Sequence, residues 1–90
     1  MKFMITFPLT QRDYKNRVSR FLETGAPPPE GVTLLGRWFT ASHSSGFMLV
    51  EASDANALFR YASEWADLIN FKIEPVVTED EAGPILQELM

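Results

Sequence analysis

His43 is the only histidine of the chain, and so the only side chain whose ordinary pKa makes it a proton shuttle near neutrality. It sits in Ala41-Ser42-His43-Ser44-Ser45, where it reads either as a base at the mouth of a ligand cavity or as a solvated turn residue. With no second histidine and no patterned carboxylate, it makes neither a metal site nor a triad. Arg37 is the other catalytic candidate. Its neighbours in Leu35-Gly36-Arg37-Trp38 are mostly apolar, so its guanidinium must find a carboxylate, an aromatic face or an anionic ligand. Glu51 on a neighbouring strand is the expected partner in an ion pair or dimer contact, with a ligand anchor as the alternative. Arg37, Trp38, Trp65, Tyr14 and Phe47 form the candidate ligand-binding set, lining an apolar pocket between sheet and helices; core packing uses the same residue types. Glu79-Asp80-Glu81 offers oxygens to calcium or magnesium, but adjacent carboxylates lack binding-loop spacing and suit a helix start instead. No metal and no cofactor is expected.

Composition removes several classes of function. The chain of 90 residues has no Cys, which excludes disulfides, thiolate catalysis and Cys-based zinc sites. Its net charge is −4, and no Lys or Arg has a like neighbour, so the footprint of a nucleic-acid or anionic-membrane partner is missing. The N-terminal apolar run ends by Pro8, short of a signal or spanning segment. The expectation is a cytoplasmic protein of one domain, with 46% hydrophobic residues to build a thin core.

The elements that must position the candidate residues follow from periodicity. Residues 2 to 7 alternate, Phe3, Ile5 and Phe7 against Lys2, Met4 and Thr6, as in a half-buried strand. From Gln11 to Thr24 the residues Tyr14, Val18, Phe21 and Leu22 make one helical stripe, and Gly25 is a natural C-cap. Ala26-Pro27-Pro28-Pro29-Glu30-Gly31 is a stiff connector, since each proline lacks its N–H and extends the residue before it. Val32 to Thr40 and Gly46 to Ala52 read as a hairpin. Ser53-Asp54 caps a second helix to about Leu68, with Leu58, Ala62, Trp65, Ala66 and Ile69 on its stripe and Phe59 and Tyr61 flanking it. Phe71 to Val77 alternates again, with Pro75 fitting an edge strand. In the tail from Glu79 to Met90, Gly83-Pro84 delays a short helix carrying Ile85, Leu86 and Leu89.

Strict alternation places Leu35, Arg37 and Phe39 opposite Val32, Leu34, Gly36 and Trp38, and Phe47 and Leu49 opposite Met48 and Val50. Both sheet faces are then largely apolar. A two-layer domain covers only one face with helices, so a second copy of the chain is expected on the other, giving a homodimer through the outer sheet face.

The βαββαβ order is that of a ferredoxin-like α+β sandwich with a four-stranded antiparallel sheet, and the apolar outer face resembles the dimeric α+β barrel group. Three segments sharpen this: Phe21-Leu22-Glu23-Thr24-Gly25-Ala26-Pro27-Pro28-Pro29-Glu30-Gly31-Val32, Leu35-Gly36-Arg37-Trp38 and Glu64-Trp65-Ala66-Asp67-Leu68. With Pro75-Val76 and Glu81-Ala82-Gly83, they resemble a small bacterial domain of unknown function, DUF3303, nearly end to end. The resemblance implies the barrel fold and the dimer but no reaction. In that family Gly-Arg-Trp is typically followed by His, where this chain has Phe39.

Two functions are compatible with this reading. One is a domain binding a small apolar or anionic molecule between sheet and helices, extending to a cofactor-free oxygenase or isomerase near Arg37, Trp38 and His43. The other is a non-catalytic dimeric module with a filled core.

Overall fold

Alternating strands and amphipathic helices can bury their apolar sides only against one another, and the computed structural model, which describes residues 1–90, shows how they do so. The elements are β1 (Lys2–Pro8), α1 (Tyr14–Thr24), β2 (Val32–Phe39), β3 (Ser45–Ala52), α2 (Ala55–Trp65), β4 (Lys72–Val76) and α3 (Glu79–Glu88). The four strands form one antiparallel sheet in the order β2-β3-β1-β4, the ferredoxin-like arrangement of a βαββαβ chain. Pro75 lies on β4 at the sheet edge, where its missing N–H breaks no interior ladder. None of the helices is long and apolar enough to cross a membrane.

The alternation expected along β2 is broken by a bulge. Leu34 pairs with Val50 and Gly36 with Leu49, which leaves Leu35 as the extra residue. Val32 and Leu34 therefore share the helix-covered face with Arg37 and Phe39, while Thr33, Gly36 and Trp38 turn outward. The expected pairing of Arg37 with Glu51 fails for the same reason of parity. Glu51 points to the outer face, where it holds the terminal amino group at 2.9 Å and Lys2 at 3.5 Å.

Two glycines make room for aromatic rings. Gly46 lies in register with both Phe7 and Phe39, and the Phe7 ring occupies the space a Cβ would need. On the outer face the Trp38 indole lies across Gly36 in the same way.

The helices differ from expectation at their ends and on one face each. α1 begins at Tyr14 rather than Gln11, after Asp13 in a left-handed conformation, and closes at Gly25, whose N–H reaches the Phe21 carbonyl at 2.7 Å. Its inward stripe includes Arg17, while Leu22 faces solvent. α2 is capped by Asp54, which accepts from the Asn56 N–H at 2.7 Å, and buries Leu58, Tyr61 and Trp65. Tyr61 thus belongs to the buried stripe. α3 starts at Glu79, five residues ahead of Pro84, because Thr78 and Glu81 form a reciprocal capping box. That box satisfies the first-turn donors, and Pro84 removes a single helical bond.

The core is built around Ile5, Met48, Val50 and Tyr61, between the sheet and α2. α1 packs more loosely, burying only Arg17 and leaving a gap over the sheet, and is fastened to the end of α2 by polar contacts. Arg20 donates to both carboxylate oxygens of Asp67, at 2.9 and 2.6 Å, and its guanidinium stacks 5.2 Å from the Trp65 ring. The hydrogen bonds from Arg20 hold the Asp67 carboxyl below the usual carboxylate range.

Two outcomes follow from this packing. Gly46→Ala drives a methyl group into the Phe7 ring and is expected to cost about 1–3 kcal/mol of overpacking, read from urea unfolding midpoints. Because the Asp67 pKa is depressed in the folded state, its stabilisation is present at neutral pH and is lost as pH falls through the folded value. Asp67→Asn should therefore be less stable than the parent at neutral pH, and the gap should narrow as pH falls below the ordinary carboxylate range in paired urea titrations.

Candidate functional site

The gap left where α1 stands off the sheet is a cavity of about 240 Å³. α1 contributes Tyr14, Arg17, Val18 and Phe21 to its wall, and the sheet contributes Phe7, Arg37, Phe39 and Met48. Tyr61 and Trp65 of α2 close the far side, followed by Ile69 and Phe71, and Leu9, Ala26 and His43 come from the loops. Twelve of these fifteen residues are hydrophobic. The aromatic rings meet edge-on or tilted: Phe39 lies 6.3 Å from Phe7 and 5.8 Å from Phe21, while Phe71 lies 5.9 Å from Phe7 and 5.3 Å from Tyr61. Such rings hold one another at fixed angles, so the space between them is shaped by stiff walls.

The polar groups on the wall are few. Arg37 projects inward from β2 and ties down the end of α1: its Nη2 donates to the Ala26 carbonyl at 2.7 Å and to Tyr61 Oη at 3.1 Å, and its Nη1 to the Gly25 carbonyl at 3.4 Å. Its guanidinium also lies 5.4 Å from the Phe21 ring centre. A cation there complements the negative end of the helix dipole. Arg17 projects from the first half of α1 and is only 5% exposed. Its Nη2 donates to the Thr10 carbonyl at 2.6 Å and its Nη1 to the Arg12 carbonyl at 3.0 Å, bracing the loop that leads into α1. No carboxylate lies within ion-pair distance of either arginine.

His43 sits at the rim, exposed to solvent, with its ring edge-on to Tyr14 at 6.0 Å. The turn that carries it is well fixed. Thr40 Oγ1 accepts from the N–H groups of Ser44 and Ser45 at 3.1 and 3.2 Å, and the Ser44 carbonyl accepts from the Leu9 N–H at 3.0 Å. His43 itself adopts φ 63°, as Asp13 does at 62° and Ala26 at 45°. These are the non-glycine residues in the left-handed region; two line the cavity and the third starts the helix above it. Such backbone is held only where its surroundings over-determine it, and it gathers at ligand sites.

Of the residues expected to bind a ligand, the structure brings together Arg37, Trp65 and Tyr14, with His43 beside them. Trp38 and Phe47 are not in the cavity. They pair with each other across β2 and β3 on the outer face, 54% and 36% exposed, because neighbours of Arg37 and Met48 along a strand must point the other way. Arg17 and Tyr61 are additional wall residues. Their sequence signals were spacings: Arg17 lies three residues after Tyr14 and four before Phe21, and Tyr61 lies three after Leu58 and four before Trp65.

The wall carries no Asp or Glu, so His43 has no carboxylate to orient it as a base and Arg37 no counter-charge. No group of three or more His, Cys, Asp or Glu side chains is placed to hold a metal ion. The arrangement can take up an apolar body, with two arginine side chains in its wall.

No curated protein and no solved structure matches the chain. The family described as Domain of unknown function (DUF3303) matches residues 1–90, the whole chain. The ferredoxin-like sheet, with its cavity under the first helix, is thus the fold of a member of that family, to which this chain belongs.

Proposed function

We propose that this chain is a binding domain for a small, predominantly apolar molecule held between α1 and the sheet, and that it works as a homodimer. The observation that carries the first part is the aromatic-walled cavity of about 240 Å³ beside an otherwise close-packed core. An apolar cavity of ~150 Å³ is enough to take up benzene, so this one has room for a single ring with a short substituent. Binding is favoured over turnover because the wall supplies one exposed imidazole and two arginines, with no acid–base pair among them.

Several observations support the dimer. The chain exposes 6463 Å², whereas a compact monomer of its mass exposes about 5300 Å². Its radius of gyration is 15.0 Å, against about 12 Å for a compact domain of this length. The surplus surface exceeds the ~800 Å² that each partner contributes to a stable interface. It is also apolar where it matters: Trp38 and Phe47 stand on the outer sheet face, and Leu35 is exposed at the bulge. α3 buries none of its residues and holds Ile85, Leu86 and Leu89 in the open. A twin placed sheet to sheet, with α3 lying across the boundary, covers both.

Filling the cavity should abolish binding without unfolding the chain. Indole is expected to shift the Met48 methyl resonance of the parent protein in a saturable way, and Val18→Trp, which places a ring inside the cavity, should erase that response. A Met48 signal indifferent to indole would overturn the binding reading. For the dimer, light scattering should report twice the chain's 10.2 kDa, and Phe47→Lys should reduce it to a single chain. A monomeric parent would reject the sheet-to-sheet pairing.

A further inference from the structure

We infer that the ligand is an amphipathic anion, a carboxylate on a small aromatic or acyl body, and that Arg17 receives its charge. This rests on the cavity being a ligand site and adds the chemical class of what enters it.

The two arginines on the wall are not equivalent. Arg37 faces the carbonyls of Gly25 and Ala26 at the C-terminal end of α1, where the helix carries partial negative charge, so its own charge is compensated within the fold. Arg17 is the fourth residue of α1, toward the end where the helix carries partial positive charge. It is 95% buried, taking its exposure of 5%, and the carbonyls of Thr10 and Arg12 satisfy hydrogen bonds without neutralising it. A buried cation without a counter-ion is costly, and an anion brought beside it relieves that cost. Besides bracing the loop, Arg17 brings an unpaired positive charge among Tyr14, Val18 and Phe21, and an anion entering the cavity would supply the missing counter-charge.

Charge distribution points the same way. The chain has 12 acidic residues and 8 Lys and Arg, yet two of those cations and none of the acids line the cavity. A site of that sign in an acidic protein selects anions against the overall field. The rest of the wall excludes small hydrated ions: past Arg17 the cavity is bounded by Phe21, Met48, Trp65 and Phe71. The anion must therefore bring an apolar body with it.

The test uses an isosteric pair of ligands, 3-phenylpropionate and 3-phenylpropanamide, titrated calorimetrically into the parent protein and into Arg17→Met, which keeps the apolar stem. The parent should prefer the carboxylate by at least about tenfold, as a charge-assisted pair implies. Arg17→Met should lose that preference while still binding the amide. Should the variant not fold, the Arg17 Nε–H resonance of the parent protein serves instead, and should move with the carboxylate and not with the amide. Equal binding of the two ligands by the parent overturns the anion assignment and leaves the cavity reading intact. A carboxylate preference that survives in Arg17→Met, or a carboxylate that leaves the Nε–H resonance unmoved, overturns the role of Arg17. Binding of neither ligand overturns the cavity reading and this inference together.

Discussion

The stand-off of α1 is the constraint on which the rest of the structure depends. Apolar packing alone would draw an amphipathic helix flush onto the sheet, as α2 is drawn by Leu58, Tyr61 and Trp65. α1 is held instead by three guanidinium groups acting at different points along it. Arg17 braces the incoming loop, Arg20 grips the Glu64 carbonyl in the last turn of α2 and Asp67 just beyond it, and Arg37 reaches up from β2 to the carbonyls that follow the helix. Directional bonds of fixed length act as struts, and struts keep a space open that a purely apolar interface would close.

That space explains features with little meaning taken singly. Ala26 is held left-handed so that its carbonyl can meet both Arg37 and Tyr61, and the His43 turn is locked by Thr40 so that the rim keeps its shape against Tyr14. The bulge at Leu35 returns Arg37 and Phe39 to the helix side after Val32 and Leu34 have used it. Without the bulge, one strand could not serve both the core below α2 and the cavity below α1 with the same face. The outer face inherits the consequence: Trp38 folds over Gly36 and, with Phe47, offers a flat apolar surface of the kind that pairs with a second copy.

The two sheet faces differ in character. The inner face is split between a packed half under α2 and a hollow half under α1. The outer face is apolar near β2 and β3 and charged near the terminal amino group, Lys2 and Glu51. In the proposed reading, a ligand on one side and a second copy on the other would use the same four strands without competing for residues.

Local chemistry was enough to write down most of the fold. Period-two alternation in β1, Gly25 after α1, Asp54 before α2 and Pro75 at an edge each act within a few residues, so they were legible in the sequence. The capping box of Thr78 and Glu81 was equally local and was obscured only by the weight given to Pro84. The site was legible in part: Arg37, Tyr14, Trp65 and His43 were visible as residue types that do chemistry, but which of their neighbours joined them was not. That depended on a bulge, which shifts side-chain parity through pairing with another strand, and on the distance between α1 and the sheet, which is set by carbonyls far away in sequence. Periodicity shows which side of an element is apolar; only the tertiary structure decided whether that side was filled, because a filled core and an open cavity are lined by the same residues.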